Sequence, residues 1–259
     1  MVDAASERPD QAVDTRATVL CIAGFGDNAR MFEGLADTPI ARDYRLRPVN
    51  LPGFGAPPLR GETTLDALAR FVADQATEHG AKIILAHSVA SIIASLAAAK
   101  PGCPLTTILS LEGNLTAEDA YFSGTAADHE DPASFRTAFL DRLDQMSTTD
   151  PIMRRYRQAV SDADPVALWQ LGADARRFSA QHVPGAVLQD AAQAIYLYNP
   201  ENCPQTTLGW LAENPMDRIV LDGASHWASV DQPERLANGI ARALRVTARR
   251  PLPGPPQTL

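Results

Sequence analysis

The chain has 259 residues, which suits one large domain or one domain that carries a sizeable insertion. Hydrophobic residues make up 45% of it, so there is enough apolar side chain for a core, and wholesale disorder is excluded. The 23 Lys and Arg against 31 Asp and Glu leave a net charge of −8, and an acidic chain without a basic stripe is a poor match for the phosphates of nucleic acid.

Short apolar runs alternate with helical patterns along much of the chain. Apolar runs of this length predict strands that are buried on both faces. In chain order, the predicted strands are residues 18–23, 44–50, 83–86, 108–111, 194–198 and 218–221. Apolar residues spaced three and four apart predict helices over residues 63–78, 89–100 and 233–246. Strands that alternate with helices predict βαβ units and a parallel sheet.

The alternation is interrupted once, by residues 115–191, which show helical patterns and no strand pattern. The clearest helical stretches there are residues 134–146 and 151–160. We therefore interpret residues 17–114 and 192–246 as one α/β domain and the segment between them as a helical cap or lid, since an insertion this long is usually functional. The polar residues 1–16 and the proline-rich residues 247–259 are predicted to be flexible tails.

The most informative segment is AHSVA at residues 86–90, where a buried strand turns into a helix with Ser88 at the turn. A strained turn that exposes one side chain tolerates only small residues two positions before and after it, and Ala86 and Ala90 meet that need. Ser88 also lies at a helix N-terminus, whose dipole and free N–H groups favour a developing negative charge. This context favours a serine nucleophile over an ordinary serine N-cap.

Residues 83–91 resemble the nucleophile elbow of the α/β-hydrolase superfamily, which usually reads Gly-x-Ser-x-Gly. This chain departs from that motif by having alanine at both glycine positions. The resemblance implies a mostly parallel sheet flanked by helices, a helical cap insertion, Ser88 as nucleophile, and neither cofactor nor metal. His87, before the nucleophile, is interpreted as filling space beneath the elbow.

The resemblance also implies an oxyanion hole, which needs two donors aimed at the developing alkoxide. In the superfamily one donor is the backbone N–H of the residue after the nucleophile, here Val89. The other comes from the loop after the first strand. Here that loop is AGFGDN at residues 23–28, which is similar to the superfamily's His-Gly-x-x loop, and the expected donor is the Phe25 N–H.

The general base must be a histidine that reaches Ser88. His226 follows the last predicted strand, in a segment similar to the superfamily's histidine loop. The order of serine, acid and then His226 is also the order of the superfamily. The other histidines fit this position less well, because His79 ends a helix and the rest lie in the insertion or beside the nucleophile.

The acid is open between Glu112 and Glu201. In the superfamily an Asp most often follows the penultimate strand, and that position falls here near Asn202, which carries no full charge. Glu201 is adjacent to it. Glu112 ends the preceding strand before a Gly-Asn turn, a place where some members carry their acid, and it is the preferred candidate. A site without a true acid stays open as well.

The insertion is rich in aromatic residues: Tyr121, Phe122, Phe135, Phe139, Tyr156, Trp169 and Phe178. Those at helical spacing, such as Phe135 and Phe139, are interpreted as lid core. The pair Arg154 and Arg155 is interpreted as part of a solvent-exposed face. A mixed apolar lid over a serine site favours a small or medium organic substrate.

The resemblance as a whole implies a serine hydrolase that acts on an ester, thioester, lactone or related carbonyl through an acyl-enzyme. The same fold and groups also serve cyclisation, C–C bond cleavage and cyanohydrin cleavage. The two alanines of the elbow and the missing Asp keep a catalytically inactive binding protein open as a third hypothesis. Fold alone does not choose among them.

The remaining sequence features concern the cellular setting. No 18 consecutive residues are apolar, so we expect no membrane span, and the polar N-terminus lacks the apolar region of a secretory signal. Cys21, Cys103 and Cys203 are odd in number and widely spaced, which fits neither a disulfide framework nor a zinc site. We therefore predict a cytoplasmic protein with a small-molecule substrate and no nucleic-acid or membrane partner.

Overall fold

The computed structural model describes residues 15–247, so the predicted tails lie almost entirely outside the described residues. Within that range the strands are β1 Thr18–Ile22, β2 Arg45–Val49, β3 Ile83–His87, β4 Thr107–Leu111, β5 Gln193–Tyr198 and β6 Asp217–Val220. They form a parallel sheet in the order β2-β1-β3-β4-β5-β6. Every residue of β1 and β4 is buried, as their mostly apolar runs predict.

Helices flank this sheet. The α-helices of the described range are α1 Ile40–Asp43, α2 Leu65–Glu78, α3 Ala90–Ala98, α4 Pro132–Ser147, α5 Pro151–Asp162, α6 Pro165–Gln181, α7 Pro184–Ala191, α8 Gln205–Glu213, α9 Ala228–Asp231 and α10 Pro233–Thr247. Short 3-10 helices cover Ala29–Asp37, Ala117–Ala120, Ser123–Asp128 and Pro200–Asn202. Since α3 packs on β3 and β4 while α10 packs on β4, β5 and β6, the predicted parallel sheet flanked by helices is confirmed.

Helices α4 to α7 lie between β4 and β5, in residues 115–191, which we call the cap segment. Three of them begin with the same Asp-Pro pair, in which Asp131, Asp150 or Asp164 is the N-cap. Each of these carboxylates accepts hydrogen bonds from the free N–H groups of the first turn, and proline suits the first helical position because it has no N–H. This signal marks α6, which the hydrophobic pattern does not predict.

The cap segment is tied to the rest of the chain by hydrogen bonds from α6. The Gln170 side chain accepts from the Thr63 N–H at 2.8 Å, and the Asp174 carboxylate accepts from the Leu65 N–H at 2.8 Å. Both donors lie at the N-terminus of α2, where backbone N–H groups have no partner within the helix. The cap segment therefore satisfies groups that α2 leaves free.

Because the strands are parallel, their carboxyl ends meet at one edge of the sheet, where ligands bind in open α/β folds. The loop after β1, the turn after β3 and the residue after β4 all reach that edge, as do the loops after β5 and β6. No helix among residues 15–247 is long and apolar enough to cross a membrane. The same residues contain no group of three or more His, Cys, Asp or Glu placed to hold a metal ion.

Candidate active site

Ser88 sits on a strained turn between β3 and α3. Its φ is +55°, a left-handed conformation that costs a residue with a Cβ about 1–3 kcal/mol. The turn is held by a hydrogen bond of 2.9 Å from the Ser88 N–H to the Leu111 carbonyl. Ala86 and Ala90 are fully buried and keep ordinary negative φ values. These positions therefore need a small side chain rather than glycine's backbone freedom, which explains why alanine suffices.

Gly24, in the loop after β1, is the residue that lets this loop approach the elbow. A Cβ at Gly24 would lie 2.8 Å from the Ser88 Cβ and 3.0 Å from the His87 carbonyl oxygen. The φ of Gly24 is not in the left-handed region, so close contact, and not backbone strain, requires the missing side chain. The Ser88 side chain and the loop thus share one tightly packed corner.

We expect Gly24→Ala to lower kcat/KM by about tenfold to a hundredfold, because the new methyl group displaces the Ser88 side chain or the loop, and a misplacement of about 1 Å can cost that much. Steady-state kinetics would measure the change. Gly61→Ala is the matched control, since a Cβ at Gly61 meets nothing within 4 Å. Equal activity of the two variants would contradict the tight packing.

His226 lies after β6, and its backbone is held by His87. The His87 Nε2 lies 2.9 Å from the His226 carbonyl oxygen, and since a carbonyl only accepts, Nε2 carries the proton. Burial holds the pKa of His87 well below its ordinary value, and the nearby His226 lowers it further, so His87 is neutral. His87 therefore does more than fill space beneath the elbow, because it anchors the loop that carries His226.

Glu112 directs its carboxylate towards His226. It follows β4 with a φ of +49°, and apart from Ser88 no other non-glycine residue in the described range has a positive φ. Its Oε2 lies 3.8 Å from the His226 Nδ1, too long for a hydrogen bond but close enough for an electrostatic pair. Its Oε1 accepts from the Asn199 N–H at 2.7 Å and from the Asn202 side-chain amide at 3.0 Å.

Glu201, the other candidate acid, is exposed, and its backbone N–H donates to the Asn199 side chain. Among residues 15–247, its carboxylate makes neither a hydrogen bond nor an ion pair with His226. Asn202, at the position where an acid is usual, instead donates to Glu112. The amide therefore supports a carboxylate that comes from the neighbouring strand.

Two backbone N–H groups near Ser88 are predicted as oxyanion donors, one in the loop after β1 and one in the residue that follows Ser88. Within the described part of the chain, neither the Phe25 N–H nor the Val89 N–H donates a hydrogen bond to another group of the protein. Val89 directly precedes α3, so its N–H adds to the free donors of a helix N-terminus. The oxyanion-hole role predicted for both groups stays a prediction.

Ser88 and His226 line one narrow cavity, and the empty space within it and at its open mouth is about 320 Å³. Its other lining residues are Phe25, His87, Asp119, Tyr121, Phe122, Ser123, Tyr156 and Trp227. No hydrogen bond joins the Ser88 hydroxyl to His226 in the described structure; such bonds are often long before a substrate binds. The cap segment supplies five of these residues, so it forms the cavity's outer wall.

The comparisons with known proteins concern the family and the fold. A family model described as the alpha/beta hydrolase family matches residues 19–238. The chain belongs to the alpha/beta hydrolase family. The fold and the resemblance predicted from the elbow are therefore confirmed. A search of curated proteins finds no significant match to this alpha/beta hydrolase.

Solved structures with the same fold include two esterases and a lactonase. A thermophilic esterase from Thermogutta terrifontis is 19% identical, with a TM-score of 0.69 and 90% of each chain covered. An esterase from Exiguobacterium antarcticum is 14% identical, with a TM-score of 0.67, and the match covers 88% of this chain and 92% of that one. The N-acyl homoserine lactonase AidH is 14% identical, with a TM-score of 0.68 and 91% of both chains covered. At these identities the likeness shows the fold alone.

Several residues of this alpha/beta hydrolase site are not predicted from the sequence. Asn199 and Asn202 hold Glu112, and no local pattern marks them for that role. The expectation that Arg155 faces solvent is wrong, because its guanidinium pairs with the buried Asp27 in the loop after β1. The expectation fails because the partner lies 128 positions away in the sequence.

Proposed function

We propose that this chain is a serine hydrolase that cleaves esters, thioesters or lactones through an acyl-enzyme on Ser88, and that the acyl group it accepts is small and uncharged. The observation that carries the proposal is the strained Ser88 turn, which opens onto the same cavity as His226, whose Nδ1 faces the buried Glu112. Strain of this kind persists where a function needs it. Cyclisation and C–C bond cleavage would use the same groups.

In the acylation step, the Ser88 Oγ attacks the substrate's carbonyl carbon, and the electron pair of the C=O π bond moves to the oxygen. His226 takes the hydroxyl proton at Nε2, while Glu112 stabilises the imidazolium through Nδ1. The Phe25 and Val89 N–H groups donate to the oxyanion. Collapse of the intermediate breaks the bond to the leaving alcohol or thiol, which receives the proton from His226.

In the deacylation step, a water molecule takes the place of the alcohol. His226 accepts a proton from this water as its oxygen attacks the acyl carbon, and the same two N–H groups bind the second oxyanion. Collapse breaks the bond to the Ser88 Oγ, which is reprotonated by His226. The sum is ester plus water giving acid plus alcohol, with the enzyme unchanged.

The cavity favours a short, uncharged acyl group. No Lys or Arg is among its described lining residues, so nothing there pairs with a carboxylate or phosphate on the substrate. Its acidic member, Asp119, already accepts hydrogen bonds from Leu115, Thr116 and Thr207. Aromatic rings form much of the remaining wall, which suits an apolar group of few atoms.

We expect p-nitrophenyl acetate to be hydrolysed with a kcat/KM at least about tenfold above that of the octanoate, because even one methylene that a narrow pocket cannot hold costs about that factor. Tyr121 lines both this cavity and a neighbouring open groove, so Tyr121→Ala should weaken the preference by widening the cavity towards the groove. A wild-type enzyme that prefers the octanoate would contradict the proposed substrate size.

Treatment with a fluorophosphonate, followed by intact-mass measurement, tests the proposed nucleophile. The wild type should gain one adduct, and Ser88→Ala should gain none. Ser95→Ala is the matched control, because Ser95 lies on α3 with its hydroxyl bonded to the Ser91 carbonyl, and this variant should label like the wild type. An unlabelled wild type without esterase activity would favour a binding protein and overturn the proposal.

A further inference from the structure

The cap segment contacts the loop after β1 through a buried ion pair. The two guanidinium nitrogens of Arg155, on α5, lie 2.7 and 2.8 Å from the two carboxylate oxygens of Asp27. The Asp27 side chain is 1% exposed and that of Arg155 is 25% exposed. A two-pronged pair of this kind fixes direction as well as distance, and removing one partner leaves a buried charge unpaired. The position of Asp27 is therefore set by α5.

Asp27 in turn orients the Phe25 N–H, the expected oxyanion donor. The Asp27 N–H donates to the Gly24 carbonyl at 3.2 Å, which fixes the plane of the peptide bond between Gly24 and Phe25. In a planar trans peptide the carbonyl and the N–H point in opposite directions. Holding the Gly24 carbonyl on the Asp27 side therefore turns the Phe25 N–H the other way.

The next residue of α5 holds the other side of Phe25. The Tyr156 hydroxyl donates to the Phe25 carbonyl at 2.8 Å, and burial raises the pKa of Tyr156 well above its ordinary value, so the hydroxyl keeps its proton. The loop also touches α5 directly, since a Cβ at Gly26 would lie 2.7 Å from a methyl group of Val160. Both peptide planes that flank Phe25 are thus held, one by Arg155 through Asp27 and the other directly by Tyr156.

We propose that Arg155 and Tyr156 are positioning residues, which orient the Phe25 N–H of the oxyanion hole from the cap segment. This inference rests on the proposed function. The inference extends the proposed function, because it makes the orientation of the oxyanion donor depend on α5, the helix that also places Tyr156 in the wall of the cavity. A substitution that breaks the ion pair between Arg155 and Asp27 should weaken binding of the transition state and leave binding of the substrate nearly unchanged.

The first test compares variants of α5 by steady-state kinetics with p-nitrophenyl acetate. Arg155→Met should lower kcat about tenfold to a hundredfold and leave KM within about threefold, since misdirecting an oxyanion donor costs transition-state binding. Arg155→Lys should recover part of kcat, because it keeps the charge without the two-pronged geometry. Tyr156→Phe should lower kcat about fivefold, the value of one net hydrogen bond.

Arg157→Met is the matched control. Arg157 lies on the same helix and makes a similar pair, but its partner is the exposed Asp144 on α4. Its loss should leave kcat and KM as in the wild type, because exposed pairs contribute little. Thermal unfolding of all variants separates lost stability from lost orientation, and Tyr156→Phe, which loses one oxygen atom, serves if Arg155→Met does not fold.

A double-mutant cycle sharpens the result. Arg155→Met and Asp27→Asn break the same pair, so the double variant should lose no more kcat than the worse single variant. A folded Arg155→Met that keeps wild-type kcat, or that raises KM alone, overturns the positioning role while the labelled, active wild type still supports the hydrolase. A wild type that neither labels nor turns over removes the hydrolase proposal and this inference together.

Discussion

Ser88→Ala should abolish turnover of p-nitrophenyl acetate, with kcat falling on the order of 10⁶-fold, the loss that follows removal of a nucleophile of this type. The alanine has no oxygen to form the acyl-enzyme, so only the oxyanion donors and general binding remain. It keeps a Cβ at a φ of +55°, so the strain of the turn is unchanged and the fold should be retained. Burst and steady-state kinetics on the purified variant measure the effect.

The same substitution elsewhere on α3 shows whether the loss is specific. Ser95→Ala also removes one hydroxyl, but that hydroxyl is buried and bonded to the Ser91 carbonyl, away from the cavity. It should cost some stability and little activity. If Ser88→Ala retained activity within tenfold of the wild type, another group would be the nucleophile, and the assignments of His226 and the oxyanion hole would lose their basis.

The sheet and the elbow can be predicted from sequence because their signals are local. The mostly apolar runs of β1 and β4 bury every residue, and the small residues around Ser88 are required by a turn that those same few residues form. Helix α6 of the cap segment is harder to predict, because it contacts both α2 and α4 as well as two short 3-10 helices and shows weak periodicity. The Asp-Pro helix starts are the local signal that remains.

The support of the site cannot be predicted in this way, because it depends on pairs that are distant in the chain. Arg155 meets Asp27 across 128 positions, and Asn202 meets Glu112 across 90. Neither residue carries a sequence pattern that distinguishes it from an ordinary surface group. Only the fold brings each polar side chain to its partner, so a charge that looks solvated in the sequence becomes part of a buried pair.

Glu112→Gln should lower kcat by about 10⁴-fold, through the tautomer of His226. The Asn199 N–H and the Asn202 amide both donate to Oε1, so the glutamine must keep its carbonyl oxygen there. Its NH₂ group then faces the His226 Nδ1, so Nδ1 must accept the hydrogen bond and can carry no proton of its own. The proton moves to Nε2, and an Nε2 that carries a proton cannot take one from Ser88.

Glu201→Gln is the matched control, since it makes the same chemical change on an exposed side chain, and it should alter kcat by less than about tenfold, the range expected of a surface carboxylate. Both variants should be measured over a range of pH and compared on the plateau of each profile, so that lost orientation is separated from a displaced pH dependence. If Glu201→Gln were the variant with the large loss of kcat, the acid would be misassigned, while Ser88 and His226 would keep their roles. If neither variant lost activity, His226 would act without a carboxylate, and the 3.8 Å between its Nδ1 and Oε2 would be a contact without catalytic effect.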